Sequence, residues 1–130
     1  MIEQGDALCE QASDDFAPLE RDYASALKQG DYIKAGDIMD SISLITDKRT
    51  AGFEALETSD DDAEAVDAIV ENSKETTNLM ATMADSLREK DTERILSAST
   101  EMVSLSTDSQ MVAKEFGFVK CGSGTVAPTS

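Results

Sequence analysis

The residues of this chain that are able to carry chemistry are carboxylates, hydroxyls, methionines and two cysteines, because the sequence contains no histidine. The absence of histidine excludes Ser-His-Asp and Cys-His nucleophile pairs, histidine ligands for zinc or haem, and a histidine pH switch. It also excludes a di-iron bundle centre, which needs Glu-x-x-His pairs. We therefore predict no catalytic residue, no metal site and no cofactor.

The densest group of carboxylates surrounds residues 60–62. We call it the acidic patch, and its members are Glu57, Asp60, Asp61, Asp62 and Glu64. The spacing from Asp60 to Glu71 matches a calcium-binding EF-hand loop, but Ala65 stands where that loop needs a glycine for its sharp turn. We interpret the patch as a solvated linker whose negative charge favours the start of the next helix.

Three methionines are a second candidate for chemistry. Met80 and Met83 share one helical face, and we expect Met102 to lie opposite them on the next helix. Thioether sulfurs are soft ligands for Cu(I), so a copper carrier is one alternative function. Methionine at helical spacing is also common core filler, and we predict that role here.

Hydroxyl side chains interrupt two otherwise apolar helical stripes. The candidates for a small polar pocket are Ser73, Thr77, Ser106 and Ser109. In an antiparallel helix pair that turns near residue 90, position 73 lies level with position 107, so these hydroxyls occur at one height of the bundle. The alternative is that each hydroxyl bonds back to its own helical turn or faces outward.

The elements that must position these residues are helices. Apolar residues recur every three or four positions, and no alternating pattern typical of a strand persists. The stripes predict four core-facing helices, over about 6–29, 31–56, 62–89 and 91–116. Pro18 lies inside the first segment, so this helix either starts near Asp15 or kinks at the proline.

The predicted helix ends form a weak internal repeat. Residues 26–31 align with residues 86–91 at an offset of 60, as expected for two helical hairpins joined by the acidic patch. Asp31 and Asp91 are the predicted N-caps after the two turns, and Gly117 is the predicted end of the last helix. The amphipathic pattern that core-facing helices share explains the repeat as well as duplication of one hairpin does.

Short connections make neighbouring helices antiparallel. The predicted fold is therefore all-α, an up-down-up-down antiparallel four-helix bundle over residues 1–121, with a flexible tail at 122–130. This topology brings Cys9 to the same end of the bundle as Cys121. We predict a disulfide between them and hence an oxidising compartment. The alternative is two free thiols in a cytosolic protein.

The charge of the chain excludes two classes of partner. The 130 residues include 27 acidic and 11 basic side chains, a formal net charge of −16. Such a surface repels phosphate backbones and anionic lipids, so we predict no nucleic-acid partner. Residues 1–65 carry 17 acidic and 5 basic side chains, against 10 and 6 in the remainder. A basic partner would therefore meet the first half of the chain.

The sequence also lacks membrane signals. No apolar stretch approaches the roughly 20 residues that a membrane-crossing helix needs, so we predict no transmembrane segment. The residues after Met1 show neither the basic region nor the apolar segment of a signal peptide. An extracellular or cell-envelope location therefore predicts a leader upstream of residue 1, and a cytoplasmic location is the alternative.

One resemblance to known proteins rests on the two ends of the chain. Residues 114–122 end a helix with Gly117, an apolar residue and then Cys121-Gly122. Together with the helical Cys9 and the turn at 28–31, this layout resembles small secreted or lipid-anchored helical-bundle domains of actinobacteria. The resemblance implies an envelope location and a terminal disulfide but no activity. The layout is also similar to small periplasmic b-type cytochromes, whose haem-binding histidine is absent here.

These observations together predict a non-enzymatic extracytoplasmic bundle that binds a protein or a cell-envelope component, with a basic partner favoured. Two alternatives stay open. A cytosolic adaptor or chaperone-like bundle would keep both cysteines reduced, and a carrier of copper, calcium or a small ligand would bind its cargo directly.

Overall fold

The predicted all-α bundle is confirmed by a computed structural model that describes residues 2–118 and 121. Four helices follow one another and neighbours run antiparallel, with no strand among the described residues. Their bounds are α1 Ile2–Lys28, α2 Tyr32–Glu54, α3 Asp60–Glu89 and α4 Thr92–Phe116. The predicted tail at 122–130 lies outside the described residues.

The first helix differs from its predicted bounds. It begins at Ile2 rather than near residue 6, and it runs through Pro18 instead of starting near Asp15. Proline removes one helical hydrogen bond, but packing of an amphipathic face supplies most of the stability of a protein helix. The carbonyl that loses its partner is that of Asp14, four residues earlier, and Asp14 is exposed, so water is able to bond to it. α3 also begins two residues early, at Asp60.

The two hairpin turns have the same geometry, and this shared geometry corresponds to the sequence repeat between residues 26–31 and 86–91. Gly30 and Lys90 both take the left-handed conformation, with φ of 74° and 56°. Asp31 and Asp91 are the N-caps, as predicted, and accept hydrogen bonds from the third residue after each, at 3.1 and 3.2 Å. Each hairpin therefore turns through one left-handed residue followed by a capping aspartate.

The core consists of two apolar clusters along the bundle axis. The larger cluster fills the end that holds the two hairpin turns, and its most buried members include Tyr23, Met39, Ile42, Met83 and Leu87. The smaller cluster fills the opposite end, around Phe53, Val66 and Phe118. Polar residues on α2, α3 and α4 separate the two clusters.

α1 packs on α2, α2 on α3 and α3 on α4, but the seam between α4 and α1 is wide. Each sequential pair of helices has Cα atoms within 8 Å of one another, whereas no Cα atom of α1 lies within 8 Å of a Cα atom of α4. Residues after α4 close this seam at one end only. There Phe118 packs edge-on against Phe53, with ring centroids 6.0 Å apart, and Cys121 is bonded to Cys9 on α1.

Candidate functional sites

The predicted disulfide is present. Cys9 and Cys121 are bonded, with Cα atoms 5.2 Å apart and a sequence separation of 112 residues. The backbone N–H of Cys121 donates to the carboxylate of Asp6 at 3.3 Å, which ties the same segment to α1 a second time. The bond therefore joins the beginning of the bundle to its end.

A surface groove lies beside the disulfide end, where α2 leads into α3. Its volume is about 390 Å³. Its lining residues, which we call the acidic groove, are Phe53, Glu54, Leu56, Thr58, Val66, Asp67, Val70, Glu71 and Lys74. The aromatic and aliphatic members are buried or half-buried and form the floor, whereas the charged members are exposed and form the rim.

The acidic patch adjoins this groove. Asp60, Asp61 and Asp62 form the first turn of α3, where the helix dipole favours negative charge. Glu57 and Asp61 are exposed, as is Glu64 one turn further on. The groove and the patch together hold eight carboxylates and the ammonium group of Lys74, which lies 3.9 Å from the carboxylate of Glu54. This corner combines an apolar floor with a strongly negative rim.

The methionines pack as core side chains. Met80, Met83 and Met102 belong to the larger apolar cluster, and each is at most 3% exposed. The hydroxyl of Thr46 lies 3.7 Å from the sulfur of Met80. No group of three His, Cys, Asp or Glu side chains suited to a metal ion occurs among residues 2–118 and 121.

The candidate polar-pocket residues lie between the two apolar clusters. Ser73 is buried, and Thr77, Ser106 and Ser109 are half-buried. The Thr77 hydroxyl donates to the carbonyl of Ser73 at 3.1 Å, so this residue follows the alternative of bonding within its own helix. The amide of Gln110 donates to Ser106 at 3.4 Å.

The neighbouring helix contributes polar residues that the sequence analysis did not select. On α2, the buried Thr46 and Thr50 donate to carbonyls one turn earlier, at 3.3 and 2.9 Å. Arg49 stands between them, with its guanidinium carbon 5.9 Å from the ring centroid of Phe16. We call the full set the polar layer: Thr46, Arg49, Thr50, Ser73, Thr77, Ser106 and Ser109.

The spacing of Arg49 in the sequence already indicated that it lies at a core position. Arg49 lies seven residues after Ile42 and four before Phe53, both fully buried, so it occupies a core position of the α2 stripe. The apolar stripe of α2 is therefore interrupted at position 49, where an arginine stands at a core position. Burial lowers the pKa of the Arg49 guanidinium, although arginine stays charged throughout the working pH range.

Comparison with known proteins adds no relative. No protein-family model matches the chain, and neither the curated proteins nor the solved structures include a significant match. Within the part of the chain that the structure describes, no helix is both long and apolar enough to cross a bilayer.

Proposed function

We propose that this protein is a non-enzymatic extracytoplasmic binding module whose acidic groove takes a basic amphipathic segment of a partner protein. The observation that carries the proposal is the juxtaposition of the apolar groove floor with the acidic patch at one corner of the bundle. A segment with apolar side chains on one face and lysine or arginine on the other complements both features.

The disulfide supports the extracytoplasmic part of the proposal. Disulfides form and persist in oxidising compartments, whereas cytosolic reductants keep thiols reduced. Cys9 and Cys121 are bonded. The resemblance to secreted and lipid-anchored actinobacterial bundle domains points in the same direction. A cytosolic adaptor, the second candidate, would hold both thiols reduced. Alkylation of thiols in intact cells followed by mass measurement distinguishes the two, because only reduced cysteines gain the alkyl mass.

Binding by the acidic groove is tested with a synthetic basic amphipathic helix of about twelve residues that carries Leu on one face and Lys on the other. We expect it to bind the purified protein, as measured by calorimetry, and to shift the amide resonances of Phe53, Val66 and Val70. Because the attraction is between exposed charges, affinity should fall when salt rises from about 50 to about 500 mM.

A matched pair of triple variants separates the groove from general acidity. The test variant carries Asp61→Asn, Asp67→Asn and Glu71→Gln, and the control variant carries Asp14→Asn, Asp22→Asn and Asp108→Asn. All six carboxylates are exposed, and both variants change the net charge by the same amount. We expect about a tenfold loss of affinity in the test variant and less than about a twofold loss in the control. Equal losses in both variants, or equal binding of a Glu/Leu peptide, would show that the groove is not the site.

A further inference from the structure

The outer face of α4 carries apolar side chains that no other helix covers. Leu96, Val103 and Met111 are 60%, 37% and 56% exposed, and they recur at intervals of seven and eight residues. At about 100° per residue, this spacing places them on one side of α4, opposite the face that buries Met102. We call this side the neutral stripe, and its members are Leu96, Thr100, Val103, Thr107 and Met111.

The two threonines of the neutral stripe are already satisfied within the helix. The hydroxyl of Thr100 donates to the carbonyl of Leu96 at 2.9 Å. The hydroxyl of Thr107 donates to the carbonyl of Val103 at 3.0 Å. Covering the stripe therefore leaves neither hydroxyl proton without an acceptor, so the polar members do not oppose burial of the apolar ones.

Opposite charges stand at the two ends of the neutral stripe. Glu93 lies three residues before its first member and Lys114 three residues after its last, so both adjoin the stripe on the helix surface. Both side chains are exposed, and neither forms an ion pair within residues 2–118 and 121. The other acidic residues of α4 are Glu101, Asp108 and Glu115. They lie about 80° or more around the helix from the middle of the stripe, against about 40° or less for the two end residues.

We propose that two copies of this chain pair through the neutral stripes of their α4 helices, antiparallel about a twofold axis near Val103. In this register Leu96 of each copy lies level with Met111 of the other, and the stripe threonines lie level with each other. The same register brings Glu93 of each copy level with Lys114 of the other, which forms two ion pairs at the ends of the interface. The outer face of α4 is therefore complementary to itself in both its apolar and its charged residues.

A second copy is the occupant that the charges favour. Two chains of net charge −16 repel each other, and the neutral stripe allows them to meet without charge over about four helical turns. A basic segment would be attracted to the acidic groove instead, since the stripe has no carboxylate. No lining residue of the acidic groove belongs to α4, so the pairing leaves that groove free and does not depend on its function.

The first experiment is sedimentation velocity of the wild-type protein from about 5 to about 500 μM. One helix face per copy is smaller than a standard interface of about 800 Å² per partner, so we expect a weak dimer with a Kd of about 10–100 μM in about 500 mM NaCl. Association should be at least about threefold weaker in about 50 mM NaCl, because less salt screens the repulsion between the two chains. Binding of a basic segment to the acidic groove has the opposite salt dependence. A protein that stays monomeric at the highest protein and salt concentrations would overturn the proposal.

A matched pair of leucine substitutions tests whether the stripe is the interface. Leu96 on α4 and Leu44 on α2 are 60% and 68% exposed, so Leu96→Asp and Leu44→Asp add the same charge at similar surface positions. We expect Leu96→Asp to weaken association at least about tenfold, because it places a carboxylate in an apolar contact of each copy. Leu44→Asp should change association less than about twofold. Equal effects of the two substitutions would refute the neutral stripe as the interface.

Charge exchange tests the antiparallel register. Lys114→Glu should weaken association at least about fivefold in about 100 mM NaCl, because two ion pairs become two repulsive contacts. Lys48→Glu makes the same change of net charge on the exposed side of α2 and should weaken it less than about twofold. The double variant Glu93→Lys/Lys114→Glu should regain the wild-type affinity, since it restores both ion pairs with reversed signs. A double variant as weak as Lys114→Glu would refute the register.

The wild-type protein decides the matter if a charged variant does not fold by circular dichroism. On dilution from about 500 to about 5 μM, the amide resonances of residues 93–114 should shift and those of the exposed side of α2 should not. Resonances of residues 93–114 that do not depend on concentration would refute the pairing.

Discussion

Breaking the bond between Cys9 and Cys121 should lower the free energy of unfolding by about 5 kcal/mol. The bond closes a loop with a sequence separation of 112 residues. In the chain-entropy model, a loop of this size removes about 16 cal/mol/K from the unfolded ensemble, which is about 4.8 kcal/mol at 25 °C. The bond restrains almost the whole bundle, because α2, α3, α4 and the part of α1 after Cys9 lie inside this loop.

The corresponding change in melting temperature is large enough to measure directly. At about 2.1 cal/mol/K per residue, the unfolding entropy of a 130-residue chain is about 0.27 kcal/mol/K. A loss of about 4.8 kcal/mol therefore lowers Tm by roughly 18 °C. Cys9 is 7% exposed, so the replacement should be alanine, which adds neither a charge nor a new polar group to the buried site.

The assay is thermal unfolding followed by circular dichroism, with and without a phosphine reductant. We expect reduction of the wild-type protein and the double variant Cys9→Ala/Cys121→Ala to show the same decrease in Tm. The double variant should be insensitive to the reductant, which controls for side effects of the reagent. A decrease in Tm smaller than about 5 °C would refute the chain-entropy reasoning. Closing so long a loop removes enough entropy from the unfolded state to change Tm by more than about 5 °C, even when strain in the bond offsets part of the effect.

Two further predictions concern single residues. Lys90 and Gly30 hold the same left-handed turn conformation, so Lys90→Gly should raise the unfolding free energy by about 1 kcal/mol and Gly30→Ala should lower it by about 1 kcal/mol. Chemical denaturation checks both, and a destabilised Lys90→Gly would contradict the reasoning. Burial raises the pKa of Tyr23 to about 12, so the fold favours the neutral phenol. The contribution of the neutral Tyr23 phenol to the free energy of unfolding is fully present below about pH 10. Between about pH 10 and 12 it is lost, which lowers the free energy of unfolding by about 2 kcal/mol. Denaturation across this range should show a decline that Tyr23→Phe removes, and an identical decline in both proteins would exclude Tyr23 as its source.

The helices and their turns were predictable because their causes are local. A capping aspartate after a left-handed residue acts within four residues, so Asp31 and Asp91 were correctly placed from sequence. Of the two effects that Pro18 allowed, the helix start near Asp15 was wrong. α1 runs through the proline because the packed face on both sides extends beyond it.

The candidate sites were predictable only in part. The polar interruptions at Ser73 and Ser109 were visible as gaps in apolar stripes, and in the structure Ser73 is buried and Ser109 is half-buried. The sequence analysis did not select Arg49, because an arginine within an apolar stripe is normally interpreted as a solvated surface charge. Only its burial in the structure distinguishes Arg49 from a surface arginine. The acidic groove was missed as a cavity, since its floor and rim come from two helices and their connection.

The sequence by itself determined the helical fold, the end-to-end placement of the cysteines, and the exclusion of histidine chemistry. These follow from residue type, spacing and connection length, which act along one chain. Only the tertiary structure decided that α1 and α4 stay apart and that, within the described residues, Arg49 packs over the ring of Phe16. Helical periodicity tells which face of a helix is buried, but not how far apart two faces lie or which groups meet between them.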